Sequence, residues 1–252
     1  MNPFGKSICG NKKKFNQKLK NKEMIKKILF DKKDRKYYWE KGDLNTSLGL
    51  IKESEMNKEE AVSNTNQKFR VMTANFIDNL EKIKTGPAHT SLKDIGAILT
   101  YTGISKNSIV AEAGTGSGYL TSIIARFVKK VESYEKNEDF FNLSRKNLEM
   151  LKIDNVDIHN KDISNLKGKF DLIILDLPDP WNYKLENNLK EGGYLVAYLP
   201  NITQVKSLVN ESKLHHEKTI EILEREWYVD ERLRPKNFKL GHSAFLVFLR
   251  KI

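Results

Sequence analysis

Three glycines at alternate positions separate an apolar run from a helical pattern, and this arrangement constrains the fold more than any other feature. The run SIVAEA precedes Gly114, Gly116 and Gly118, and YLTSIIARFV follows them. The glycines therefore occupy a strand-to-helix turn, where a ligand can lie against the backbone because glycine has no Cβ. The dinucleotide fingerprint needs a glycine where this chain has Tyr119, which argues against NAD and FAD. A glycine turn without a ligand is the alternative.

Acidic residues follow the next strand-like runs. Glu135 closes the run VESYE, and an acid at the tip of the second strand is placed to accept hydrogen bonds from ribose hydroxyls. Asp162 and Ile163 follow the third strand, where the acid can accept from an adenine amino group and the aliphatic side chain can cover the ring. With the spacing of the glycines, these residues predict an S-adenosylmethionine site. Asp162 as a cap of the following turn is the alternative.

The fourth strand-like run, FDLIILD, continues directly into LPDPW. Asp176 at its end can accept a hydrogen bond from an exocyclic amino group and so orient an adenine. The prolines restrict the loop and remove amide donors from it, and Trp181 offers a face on which a base can stack. The pattern predicts an amino-base site beside the cofactor. A proline-rich turn with a core tryptophan is the alternative.

Strand and helix patterns alternate through most of the chain, which predicts an α/β fold with a mostly parallel, Rossmann-like sheet. A helix begins this part in the segment SLKDIGAILTYTG. Two consecutive strand-like runs, KTIEILEREWYVDE and SAFLVFLRK, end the chain, so we expect seven strands with the last one antiparallel. The other predicted strands are 108–113, 131–135, 156–160, 170–176 and 193–200. The other predicted helices are 118–129, 137–151 and 202–214.

Length and composition set the domain organisation. The 252 residues allow one catalytic domain and a small accessory domain. We predict a basic flexible arm over 1–24, a small β-rich domain over 25–82 and the main domain over 83–252. The single cysteine, Cys9, excludes an intrachain disulfide, and no His/Cys/carboxylate set has metal spacing. The absence of a long apolar stretch or a signal-like N-terminus predicts a cytoplasmic protein that does not enter membranes.

Almost all of the net charge of +11 lies in the N-terminal segment. Residues 1–36 contain 13 lysines and arginines and three acidic residues, so the remainder is close to neutral. A phosphate-rich partner attracts such a segment through counterion release. A solvated tail is the alternative.

The motif YLPNITQV, which ends the fifth strand, resembles the tRNA (adenine-58-N1)-methyltransferase family almost letter for letter. The resemblance extends through EAGTGSG, VESYE, the DL-x-x-PW pattern and the terminal GHSAFLVFLRK, and it covers about 25–252. The single-subunit archaeal and bacterial form is more similar than the two-subunit eukaryotic enzyme. One departure is Leu92 in SLKD, where the family often has a proline in YPKD. The lid of the cofactor pocket is therefore expected to differ.

The resemblance implies a seven-stranded class I methyltransferase with a small N-terminal β domain, usually a homotetramer. It implies S-adenosylmethionine as methyl donor and the T-loop adenine of tRNA as acceptor, with modification of adenine 57 left open. Asp176 would be the catalytic residue between cofactor and base. The implied cofactor residues are Gly114, Gly116, Ser117, Gly118, Tyr119, Leu120, Glu135, Asp162, Ile163 and Asp176. Expected contacts with the substrate base or tRNA are Trp181, Pro200, Asn201 and His242.

Two other functions are compatible with parts of the sequence. Isoaspartate carboxyl methyltransferases share a GTGSGY loop, but they lack DLPDPW and YLPNITQV. A non-catalytic tRNA-binding subunit is expected to have lost its cofactor loop, whereas this chain keeps the loop, Glu135 and Asp176. His215 and His216 are predicted to be a polar cap at a helix end. The sequence therefore favours an active enzyme.

Overall fold

A computed structural model describes residues 23–86, 89–236 and 242–252. Cys9 and the basic arm up to residue 22 lie outside the described residues. An N-terminal β-rich region precedes a larger α/β region. Within the described ranges, no helix is long and apolar enough to cross a membrane.

The N-terminal region is built from short antiparallel strands. Four of them form one sheet in the order β2-β1-β6-β5, and β3 pairs with β4 as a separate hairpin. Leu29, Ile51, Met56 and Phe69 are fully buried between these elements. The strands are β1 (Lys27–Phe30), β2 (Lys36–Trp39), β3 (Leu44–Thr46), β4 (Gly49–Ile51), β5 (Glu60–Val62) and β6 (Lys68–Thr73). Helix α1 (Phe76–Leu80) follows and begins with a capping box between Asn75 and Asp78.

A seven-stranded sheet in the order β12-β15-β11-β10-β7-β8-β9 forms the centre of the α/β region. Strands β7 to β11 are parallel, and β15 lies antiparallel between β11 and β12, which confirms the predicted fold. The strands are β7 (Ile109–Ala113), β8 (Lys130–Tyr134), β9 (Val156–His159), β10 (Phe170–Leu175), β11 (Leu189–Leu199), β12 (His215–Glu221) and β15 (Phe245–Arg250). The helices are α2 (Leu92–Thr102), α3 (Tyr119–Ile124), α4 (Glu138–Met150) and α5 (Ile202–Glu211).

Helices cover both faces of this sheet. Leu172 and Ile174 of β10 pack on one face with α2 and α3, whereas Ile173 and Leu175 pack on the other face with α5. Successive residues of a strand point to opposite faces, so this fully apolar strand is buried on both sides. Because β7, β8 and β10 run parallel to one another, their carboxyl ends meet at one edge of the sheet.

The segment before the last strand differs from its prediction. His215 and His216 begin β12 and are exposed, so their assignment to a helix end is wrong. Helix α5 ends at Glu211, and the chain is already extended at Ser212. The predicted run 218–231 is also not one strand. It stops at Glu221, where pairing with β15 ends, and a small hairpin follows. That hairpin consists of β13 (Trp227–Tyr228) and β14 (Arg234–Pro235).

Candidate active site

The turn after β7 lies directly against the turn after β10. Gly114, Gly116 and Gly118 all have positive φ, of 91°, 55° and 78°. A Cβ on Gly114 would lie 2.1 Å from the backbone carbonyl oxygen of Asp176, and the Asp176 amide donates to the Ala113 carbonyl at 2.9 Å. Position 114 therefore requires glycine for its conformation and also for the space that Asp176 occupies.

The rest of the glycine-rich turn is held by hydrogen bonds from its backbone and by the packing of its side chains. Glu135 lies one residue beyond β8; its Oε2 accepts from the Gly116 amide at 2.9 Å and its Oε1 from the Asn137 amide at 2.8 Å. The side chains of Ser117, Tyr119 and Leu120 are buried. A ligand in this turn would therefore meet their backbone and not their side chains.

Glu112 on β7 is a buried carboxyl group beneath the glycine-rich turn. Its Oε2 accepts from Thr121 Oγ1 at 2.6 Å and from Ser133 Oγ at 2.8 Å, and its Oε1 has no partner in the part of the chain that the structure describes. Burial raises the pKa of Glu112 to about 7, and the two hydroxyl groups only partly oppose this effect. The carboxyl group fixes α3 and β8 to the strand that carries the turn.

A cavity of about 420 Å³ opens at the carboxyl ends of β7, β8 and β10. Its volume lies within the range of small-molecule sites. Of the sequence-predicted cofactor residues, Gly114, Glu135, Asp162 and Ile163 line it. Leu177, Pro178 and Asp179, from the segment that the sequence assigns to the base site, also line it. The lining residues that sequence reasoning missed are Ala113, Tyr134, Lys136, Lys161, Asn182 and Tyr183.

Asp162 is the anchor of a polar cluster at the wall of the cavity. It forms an ion pair with Lys136, and its Oδ2 accepts from the Tyr183 hydroxyl at 3.2 Å. It also caps the short helical turn Ile163–Asn165 by accepting from the Ser164 amide at 2.7 Å, as the capping alternative expects. Burial opposes ionisation, but the Lys136 ammonium and the Ser164 donors keep the pKa of Asp162 at about 2. Asp162 is therefore an ionised acceptor.

Asp176 lies where the glycine-rich turn and the proline-containing loop meet. Burial raises the pKa of its carboxyl group to about 6, and the neighbouring Thr90 hydroxyl partly opposes this effect.

Trp181, predicted as a stacking face, does not line this cavity. It is half-buried and packs against the apolar cluster beneath β10 and β11, where it borders a small cleft with Leu195 and Leu208. The core-tryptophan alternative describes its position.

The other predicted substrate residues lie in the turn after β11 and in the segment before β15. Pro200 and Asn201 are exposed, and the side-chain amide of Asn201 donates to Gln204 Oε1 at 3.2 Å. His242 Nε2 lies 3.1 Å from the Pro200 carbonyl oxygen, and Nδ1 lies 2.5 Å from Glu221 Oε1. The structure thus brings Pro200 and His242 together, but with the histidine ring turned to partners in the protein.

A further buried carboxylate, Asp94, joins the motifs SLKD, YLPN and GHSAF. Asp94 is fully buried; its Oδ2 accepts from Ser91 and Ser243 at 2.6 Å and from the Tyr198 hydroxyl at 3.1 Å. Its Oδ1 is 2.8 Å from Lys93 Nζ. Nothing in the sequence indicates that these three motifs meet. The network holds the first turn of α2 to the carboxyl end of β11.

Taken as a whole, the described site suits a nucleoside ligand, with acids at one end and a glycine-rich turn at the other. Among the described residues, no group of three or more His, Cys, Asp or Glu side chains could hold a metal ion. The sheet order and this site define a Rossmann-like methyltransferase. The chain belongs to the family described as tRNA methyltransferase complex GCD14 subunit, whose model matches residues 89–244.

Similar proteins are methyltransferases, and two of the three described here are named for tRNA. TrmI of Methanocaldococcus jannaschii, a tRNA (adenine(57)-N(1)/adenine(58)-N(1))-methyltransferase, is 30% identical over 269 residues, covering 89% of this chain and 94% of that protein. The structure of a SAM-dependent O-methyltransferase from Thermotoga maritima matches with a TM-score of 0.80 and 26% identity, covering 92% and 94% of the two chains. The tRNA (m1A58) methyltransferase TrmI from Aquifex aeolicus matches with a TM-score of 0.75 and 26% identity, covering 92% and 98%.

Proposed function

We propose that this enzyme transfers a methyl group from S-adenosylmethionine to N1 of the T-loop adenine at position 58 of tRNA. The observation that carries the proposal is the contact between Gly114 and Asp176. It supports the proposal because Asp176, whose carboxyl group can accept a hydrogen bond from an amino group, lies directly beside the turn that would hold the methyl donor. The names of the relatives support the same reaction and acceptor.

The residues of the cavity fit S-adenosylmethionine. Glu135 would accept from the ribose hydroxyls, Asp162 would accept from the adenine amino group and Ile163 would cover the adenine ring. The backbone from Gly114 to Leu120 would hold the methionine end, where glycine allows close approach. When bound, the cofactor supplies an electrophilic methyl group on a positively charged sulfur.

The role of the chain in the reaction is alignment and electrostatics. Asp176 would accept a hydrogen bond from the adenine N6 amino group, which orients the base so that the N1 lone pair points at the methyl group. No proton needs to leave in the transfer, because the methylated base takes over the positive charge. Alignment of this kind contributes at most about 7–11 kcal/mol to catalysis. The Asp176 carboxylate adds stabilisation of the charge that develops on the base.

The tRNA partner follows from the same proposal. A T-loop adenine is stacked in the folded tRNA, and extruding a base costs a few kcal/mol. Phosphate contacts of a chain with a net charge of +11 would offset this cost. We place the activity in the cytoplasm, where such a substrate is available.

We further propose that the enzyme is a homotetramer. Exposed apolar side chains are concentrated near the small hairpin between β12 and β15, with Leu223, Trp227, Val229 and Leu233 between 52% and 84% exposed. Exposed apolar groups clustered in this way are typical of an interface, and a second copy of the chain is the occupant we assign. Size-exclusion chromatography with light scattering tests the mass of the assembly.

Nucleoside mass spectrometry with site mapping tests the function directly. Unmodified tRNA is incubated with the protein and S-adenosylmethionine, and methyl on N1 of the T-loop adenine is the expected result. Asp176→Ala should keep its affinity for S-adenosylhomocysteine but lose methyl transfer by orders of magnitude. Asp154→Ala changes an exposed aspartate before β9 and is the matched control. Methylation of an isoaspartyl peptide, without methylation of tRNA, would contradict the proposal.

A further inference from the structure

The two ring nitrogens of His242 both face acceptors. Nδ1 lies 2.5 Å from Glu221 Oε1 at the end of β12, and Nε2 lies 3.1 Å from the Pro200 carbonyl oxygen after β11. A carbonyl oxygen and an ionised carboxylate only accept hydrogen bonds, so each nitrogen must carry a proton. A neutral imidazole has one N–H group. Both contacts together therefore require the charged imidazolium.

The surroundings of His242 favour that charge. The Pro200 carbonyl and the Glu221 carboxylate raise the pKa of His242, whereas the nearby Lys93 ammonium opposes them. Lys93 on α2 is itself bonded to Asp94 and to Ser243. On β15, the Phe245 ring packs at 4.9 Å between ring centroids and carries no charge. Glu221 is thus the acid in direct contact with the imidazole.

Hydrogen bonds connect the turn after β11, which His242 contacts, to the loop that follows Asp176. Pro200 is followed by Asn201, whose side chain donates to Gln204 Oε1 at 3.2 Å. The Gln204 side chain in turn donates to the Pro178 carbonyl at 2.8 Å. Pro178 lies two residues after Asp176. A displacement of the turn after β11 would therefore reach the loop that positions the acceptor base.

We propose that His242 is a positioning residue, held as an imidazolium between Glu221 and Pro200, which fixes the turn after β11 and, through Gln204, the loop after Asp176. With both nitrogens engaged, the ring has no N–H group left for the base, so its predicted role as a substrate contact is replaced. The inference deepens the proposed function and rests on it for its effect on methyl transfer. The protonation state does not depend on that function.

Nitrogen-15 NMR of the histidine side chains in the full-length protein tests the protonation state. His242→Gln assigns the signals by their loss. We expect both ring nitrogens of His242 to be protonated at pH 6.5, and Glu221→Gln to lower the pH at which one proton leaves. A neutral tautomer with one protonated nitrogen at pH 6 would overturn the proposal, whether or not the protein methylates tRNA.

Methyl transfer tests the positioning role. His242→Gln should lower kcat by about ten- to a hundredfold, because misalignment of the loop after Asp176 reduces the rate of methyl transfer by that factor. The affinity of the variant for S-adenosylhomocysteine should stay the same. The wild-type rate should fall as pH rises through the His242 pKa, and this fall should be absent in the variant. His216→Gln changes an exposed histidine bonded to Thr219 and is the matched control. An unchanged kcat in His242→Gln would refute the role. If wild-type protein methylates no tRNA, the proposed function fails, and the NMR result still decides the protonation state.

Discussion

Replacement of Gly114 by alanine should destabilise the protein and force the glycine-rich turn and the loop that begins at Asp176 apart. The new Cβ would lie 2.1 Å from the Asp176 carbonyl oxygen and 3.3 Å from its Cβ, and the nearest atom belongs to the backbone, so no side-chain rotation can relieve the overlap. The φ of 91° adds about 1–2 kcal/mol, the usual cost of a left-handed conformation for a residue with a Cβ. Overpacking adds about 1–3 kcal/mol. The free energy of unfolding should therefore fall by about 2–5 kcal/mol.

Gly103→Ala separates conformational strain from overlap. Gly103 ends α2 with a φ of 62°, and no atom lies within 4 Å of its added Cβ. The free energy of unfolding of Gly103→Ala should fall only by the cost of the left-handed conformation, about 1–2 kcal/mol. Thermal unfolding measures both variants, since about 2–4 °C of Tm corresponds to 1 kcal/mol in a chain of this size.

Methyl transfer to tRNA supplies the second measurement. Gly114→Ala must displace Asp176 or the glycine-rich turn, and a shift of about 1 Å costs roughly a hundredfold in rate. Gly103→Ala lies outside the site and should keep its rate. The reasoning would be refuted if Gly114→Ala were no less stable than Gly103→Ala and transferred methyl groups at the wild-type rate.

Three further changes probe the buried acids and the cavity. In the free enzyme, kcat/KM should rise with pH through about 6, where Asp176 ionises, and Asp176→Asn should remove this rise; pH–rate profiles measure both. Asp94→Ala leaves Lys93 without its buried partner and should cost about 3–5 kcal/mol in chemical denaturation, whereas Asp154→Ala on the surface should cost less than about 0.5 kcal/mol. Lys136→Met removes the ion pair of Asp162, so calorimetry should show a changed affinity for S-adenosylhomocysteine and an unchanged affinity for tRNA.

The features that the sequence predicts are those set by local pattern. Three glycines after an apolar run identify the turn, and the acids at strand ends converge because parallel strands end at one edge of the sheet. The position of Asp176 next to the glycine-rich turn is predicted in this way. The small hairpin before β15 was missed, because a run rich in β-forming residues does not show where its pairing partner ends.

The side-chain networks were beyond sequence reasoning. Asp94 is bonded to Tyr198, 104 residues away, and to Ser243, 149 residues away. A single sequence has no signal for such pairs, because nothing in the local pattern around each residue shows which distant residue it will contact. The same applies to Lys136 and Tyr183, which meet at Asp162 only when β8 and β10 lie in one sheet.

The close approach of Gly114 to Asp176 also limits how this scaffold can be redesigned. The Asp176 backbone fills the space that a side chain at position 114 would need. The glycine-rich turn (the donor turn) and the loop after Asp176 (the acceptor loop) must therefore keep one fixed spacing. A chimera that imports an acceptor loop of different backbone path would need the donor turn from the same parent. Libraries confined to 177–183 would keep that spacing, but they would change the cavity wall as well, because Leu177, Pro178 and Tyr183 line it.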